Sequence, residues 1–302
     1  MQLDLFDDNR DALLRNDVIA ALLTRNEPLV RSGLAALSAQ CPTDSLQRPF
    51  TVLMHTLSSA LSSVYTPISS HNEAIAQIAH IQHSVAPAAS SVFAPVSARI
   101  WLAPLWRSLA ARARGLVWRA DQPDAHAGWM FLQAQDWSAV VDCVQAITSW
   151  RRIPVPLSWM AVARFHAEGL DAAWCLLAEL AWMDESRFGA LARSLQDPIV
   201  SRLLQEFDAS DAGYAGDADK ADNADNAGLA WFPAFALIAK PSLAAVLRHT
   251  QVGANHAPER TARLILELLL LERQGQHAQI IVRRKQLRNL SPALFAHYLA
   301  TR

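Results

Sequence analysis

The chain has 302 residues, of which 52% are hydrophobic and 18% charged, with a formal net charge of -1. That balance describes a well-buried globular protein and excludes both a disordered chain and one whose net charge draws it to nucleic acid or membrane. Cys41, Cys143 and Cys175 are too few and too widely spaced for a disulfide framework or a zinc site, which fits a reducing compartment.

The first segment, Gln2-Leu3-Asp4-Leu5-Phe6, reads in two ways. As an extended peptide it places Leu3 and Leu5 on one side, with Phe6 as an aromatic anchor and Asp7 and Asp8 keeping it soluble. Alternatively, Asp8 caps a helix that starts at Asn9, and Leu3, Leu5 and Phe6 fold back on Leu13 and Leu14. The segment resembles the Gln-Leu-(Ser or Asp)-Leu-Phe motif by which bacterial polymerases and repair proteins bind the β sliding clamp. That resemblance implies that Gln2 offers its amide to a polar subsite while Leu5 and Phe6 enter an apolar pocket of the clamp. Residues 1-8 are accordingly expected to form an extended docking peptide.

Helical spacing follows almost everywhere, and alternating strand patterns are absent. Leu13, Leu14, Ile19, Leu22 and Leu23 recur at helical intervals, and further helices are expected over Leu29 to Ser38, Leu46 to Ser62 and Asn72 to Val85. A Ser/Ala/Pro stretch from Ala86 to Pro95 predicts a break, so residues 9-90 are read as an N-terminal helical region.

All ten tryptophans lie between Trp101 and Trp231. Within the Trp-rich region, 91-207, short helices are expected to open at Trp129 and Trp159, each followed by a tight turn and a partner helix ending near Ile147 and Met183. A third pair is expected over Arg187 to Leu195 and Pro198 to Phe207. Paired helices repeating at about 30 to 35 residues resemble tetratricopeptide arrays, which implies an all-α solenoid of antiparallel helical hairpins. Asp208 to Gly228 is low in complexity and cannot bury enough apolar surface to order itself, so it is read as an acidic flexible linker. Residues 229-302 complete the chain with helices over Trp231 to Arg248, Pro258 to Arg273, Gln279 to Leu287 and Ala293 to Ala300.

Chemistry-bearing motifs are missing: there is no Gly-x-Gly-x-x-Gly, Walker loop, Gly-x-Ser-x-Gly or His-Glu-x-x-His. No cofactor or metal is therefore expected, although Glu73, His80 and His83 share one helical face. Arg99, Arg107, Arg112, Arg114 and Arg119 occupy a stretch without acidic residues, interleaved with Trp101, Trp106 and Trp118. Such a face can hold phosphates and stack bases, or form the solvated side of an ordinary helix. Trp129 and Trp159 read as core wedges or as the lining of a partner groove.

The expected function is that of a non-catalytic, cytoplasmic bacterial adaptor, tethered to the β sliding clamp and binding a second protein through its helical surface. A DNA-binding protein using the 99-119 face is the first alternative. An enzyme assembled from dispersed residues such as His166, Glu168 and Glu179 is the second. No membrane partner is expected, because the N-terminus lacks a basic-then-apolar leader and the longest aliphatic run is broken by Glu267.

Overall fold

The computed structural model describes residues 4-62, 66-210, 228-251, 253 and 255-302, with side chains described from Arg10 onward except at 60-62. The described residues are all-α and contain no strand. The chain divides into two compact units, Met1–Cys143 and Val144–Arg302.

Unit 1 comprises α1 (Asp4–Leu23), α2 (Glu27–Gln40), α3 (Gln47–Ser62), α4 (His71–His80), a π-helical turn (Ile81–Val85), α5 (Ala86–Val92), α6 (Pro95–Ala113), α7 (Ala127–Gln133) and most of α8 (Trp137–Gln145). α1 begins earlier than expected. Asp4, Leu5 and Phe6 have helical backbone where an extended peptide through residue 8 was expected, while Gln2 and Leu3 lie outside the described residues. Asp4, Asp7 and Asp8 all fall in the opening turns, where negative charge is favoured by the helix dipole.

Side chains in the later part of α1 lock it to its neighbours. The Cys41 thiol donates to Asp11 at 2.7 Å, Arg15 pairs with Asp44 at 2.5 Å, and Val18 and Leu22 are fully buried. The Asp11 hydrogen bond pushes the Cys41 thiol up to about 11 and keeps it protonated. Arg25 turns the chain with φ 53, and Asn26 caps α2 by accepting the Leu29 amide. α2 passes so close to α1 that a Cβ at Gly33 would stand 2.9 Å from the Val18 Cγ2 atom.

The break expected over Ala86 to Pro95 is instead helical as far as Val92. One turn widens, with the Ala86 amide donating to the Ile81 carbonyl, immediately before Pro87 at the start of α5. A loosened turn suits a proline that has no N–H to offer the turn before it. The boundary expected at 90/91 therefore falls inside unit 1, whose core joins α1, α2, α3, α5 and α6 through Leu22, Leu37, Phe50, Phe93 and Trp101.

Unit 2 comprises α9 (Pro154–Glu168), α10 (Leu170–Met183), α11 (Glu185–Ser194), α12 (Pro198–Ala209), α13 (Phe232–Ala239), α14 (Ala244–Leu247), α15 (Ala257–Gln274), α16 (His277–Leu290) and α17 (Pro292–Ala300). Gly169 alone joins α9 to α10, with φ 88 and ψ 179, a backbone state open essentially to glycine. The helix expected over Trp231 to Arg248 is divided at Lys240, because Pro241 cannot continue it and opens a 3-10 turn, Pro241–Leu243. Phe232 on α13 meets Trp174, Phe188 and Phe207 at 6.4, 5.4 and 5.8 Å between ring centroids, so the aromatic residues of four helices converge there. Residues 211-227, most of the acidic linker, lie outside the described residues.

Trp129 and Trp159 do not open their helices as expected. Trp129 is the third residue of α7, whereas Trp159 is the sixth of α9, because Pro154 starts that helix upstream of the expected opening. Among the described residues no single helix is long and apolar enough to cross a membrane.

The seam between α1 and α6 generates a prediction. The buried Trp101 indole donates to the Leu22 carbonyl at 2.9 Å, Arg25 lies 5.2 Å from the Trp101 ring, and its guanidinium donates to the Trp101 carbonyl. Trp101→Ala should destabilise unit 1 by about 3 kcal/mol or more, and Trp101→Phe by about 1 kcal/mol. Urea unfolding followed by circular dichroism reads the difference; equal stability of the two variants would show that the indole fills no essential space.

Candidate functional site

Three helical stripes of unit 1 face a common groove of about 910 Å³. α3 supplies Arg48, Thr51, Val52, His55, Thr56 and Ser59, which recur at three- and four-residue intervals and so share one side. α4 and the π turn supply Gln77, His80, Ile81 and Ser84 at the same intervals, and α6 supplies Leu105, Ser108, Leu109 and Arg112. Asp44 is the one carboxylate on the described wall. Its oxygens are taken by Arg15 at 2.5 Å and by the Leu46 amide at 2.7 Å.

The arginines expected to form one basic face are separated. Arg99, Arg107 and Arg114 fall on one side of α6 by helical phase, and Arg112 falls near the opposite side, on the groove. Arg107 stands 3.6 Å from Asp136, Arg119 pairs with Asp121 at 2.9 Å, and Arg114 lies 5.2 Å from the Phe131 ring. Arg112 donates through Nε to the Thr66 carbonyl at 2.8 Å. Two of the three interleaved tryptophans are unavailable for stacking: Trp101 and Trp106 are buried, and Trp106 meets Trp129 edge-on at 5.5 Å, while Trp118 is half-buried. Trp159 is likewise buried, so it lines no open groove.

Glu73, His80 and His83 do not converge. Glu73 accepts from the Ser69 amide and hydroxyl at 3.0 Å, His80 faces the groove, and His83 meets the Ala79 carbonyl and borders a separate depression with Arg99 and Trp106. Among the described residues no group of three His, Cys, Asp or Glu side chains is placed to hold a metal ion.

In unit 2 two buried carboxylates hold the segment that precedes α15. Glu179 accepts from Arg151 at 2.6 and 2.7 Å and from the Gln251 amide at 2.6 Å. Glu259 accepts from the Gly253 and Asn255 amides, both at 2.8 Å, and from Arg263 at 2.8 Å. These partners hold the carboxylates in place, and the pocket of about 400 Å³ beside Glu179 is lined by Arg151, Trp182 and His256, among others, and not by His166 or Glu168. Glu168 pairs instead with Arg164. The dispersed site suggested by His166, Glu168 and Glu179 is thus not assembled among the described residues.

Sequence reasoning missed the groove. Its signal was present in Arg48, Thr51, His55, Thr56 and Ser59, a polar stripe running at helical intervals beside the apolar one formed by Phe50, Leu53 and Leu57. No protein-family model, curated protein or solved structure matches the chain.

Glu259 yields a pH prediction. Burial alone would raise its carboxyl, but the Gly253 amide, Arg263 and the Asn255 amide outweigh burial and hold it below the ordinary 4.5. The stabilisation this gives is present above that value and is lost as pH falls through the lowered one. Glu259→Gln should cost about 2 to 4 kcal/mol at neutral pH and remove that component of acid sensitivity. Melting temperature against pH checks it; a variant as stable as the parent at pH 7 would contradict the anchoring role.

Proposed function

We propose that this protein is a non-catalytic helical adaptor that docks onto the β sliding clamp through Gln2, Leu3, Asp4, Leu5 and Phe6. The observation that carries the reading is the five-residue match itself. It is compatible with position: the match reaches into the opening turn of α1, whose later residues Val18 and Leu22 are fully buried. An extended docked form requires the first turn of α1 to open at Asp4, and terminal helical turns are the part of a helix that frays most easily. In this reading the helical hairpins, arranged as in tetratricopeptide arrays, present a surface to a second protein partner in a bacterial cytoplasm.

The DNA-binding alternative keeps one favourable observation, the shared side of Arg99, Arg107 and Arg114. It is weakened by the burial of Trp101 and Trp106 and by the pairing of Arg107 with Asp136 and Arg119 with Asp121.

Binding of the full chain to purified β clamp by calorimetry tests the proposal. Replacing Leu5 and Phe6 together by alanine should remove about 2 to 4 kcal/mol, weakening binding by more than about thirtyfold, because short motifs concentrate their energy in a few anchors. The melting temperature should change little. Absence of binding by the intact chain at roughly tens of micromolar, with the double variant markedly less stable, would return these residues to a purely structural role.

A further inference from the structure

We propose that the unit 1 groove is a binding site for an elongated, phosphate-bearing small molecule of about dinucleotide size. Between Asp44 and Asp121 the sequence carries six arginines and a single carboxylate, Glu73. Glu73 is occupied by Ser69, and Asp44 is occupied by Arg15 and the Leu46 amide. The charges left on the groove wall are the guanidinium groups of Arg48 and Arg112, so the concavity favours an anion.

The arrangement sets the length of the ligand. Arg48 lies in the first turn of α3, whereas Arg112 is tied to Thr66, beyond the end of that helix. The α3 stripe from Arg48 to Ser59 runs about 16 Å, which is the length of wall that this helix gives the groove. His55 and His80 add ring nitrogens to the same wall, and Ser84 and Ser108 add hydroxyl donors. Arg is suited to phosphate because its planar fork meets two oxygens at once. Beneath the polar groups, Val52, Ile81, Leu105 and Leu109 form an aliphatic floor on which a ring can rest. A volume of about 910 Å³ is that of a small-molecule cleft and too small for a duplex.

A second feature points to the same place. The π-helical turn Ile81–Val85 contributes Ile81 and Ser84 to the wall. Such turns are rare and concentrate at functional sites, and this one lies on the groove wall.

The test is calorimetric titration of the full chain with the thymidine dinucleotide carrying phosphates at both its 5′ and 3′ ends, beside the same dinucleotide without terminal phosphates and inorganic phosphate alone. The doubly phosphorylated probe should bind, and loss of its terminal phosphates should weaken binding at least tenfold. Arg48→Ala, at an exposed position, should weaken binding at least tenfold, and Thr51→Trp, which fills the groove from its exposed wall, should abolish it. Both variants should keep the parental circular dichroism spectrum and melting temperature, and Arg164→Ala in unit 2 should bind as the parent does. Three results would overturn the proposal: no saturable binding of the doubly phosphorylated probe, undiminished binding by Thr51→Trp, or binding of a twenty-residue thymidine strand that the dinucleotide does not displace.

Discussion

Unit 1 depends on the seam where Trp101 of α6 meets the end of α1. One buried indole donates to the Leu22 carbonyl, and Arg25, just past the helix, returns a hydrogen bond to the Trp101 carbonyl. A tryptophan that fills space and satisfies a backbone acceptor at once fixes both the position and the orientation of α6. From that fixed helix, Leu105, Ser108, Leu109 and Arg112 reach the groove, while Arg99, Arg107 and Arg114 face elsewhere. The same seam holds the C-terminal half of α1 in the core.

The two units handle charge in opposite ways. The middle of unit 1 is nearly free of carboxylates, so its arginines turn to backbone carbonyls, aromatic rings and the groove. Unit 2 buries Glu179 and Glu259 and surrounds each with an arginine and backbone amides. A buried carboxylate so enclosed is costly to remove because its partners would be left unpaired. That commitment argues for a holding role in unit 2, and the uncommitted positive charge of unit 1 argues for a ligand there.

Much of the fold was legible in the sequence because helical spacing and stop signals agree with the tertiary result. α10 runs from Leu170 to Met183 as expected, with Gly169 before it, and Gly275 ends α15 with φ 69. The departures trace to prolines. Pro87 is passed by widening a turn, Pro241 divides an expected helix, and Pro154 advances α9 ahead of Trp159. Each depends on what the surrounding turn can accommodate, which a propensity scale does not encode. The site was less legible. The arginine stretch was visible as composition, but only the helical phase of α6 separates Arg112 from Arg99 and Arg107, and only packing buries Trp101 and Trp106 between them. The groove required three stripes from distant parts of the chain to meet, and no single stripe announces the other two.

The adaptor proposal requires α1 to act as two parts, a docking segment at its start and an anchored helix around Val18 and Leu22. Backbone hydrogen exchange with and without saturating β clamp tests that division most directly. The account predicts that clamp slows exchange at residues 3-8 and leaves Val18 to Leu22 unchanged. Unchanged exchange at residues 3-8 in the presence of clamp, or slowing confined to other parts of the chain, would contradict it.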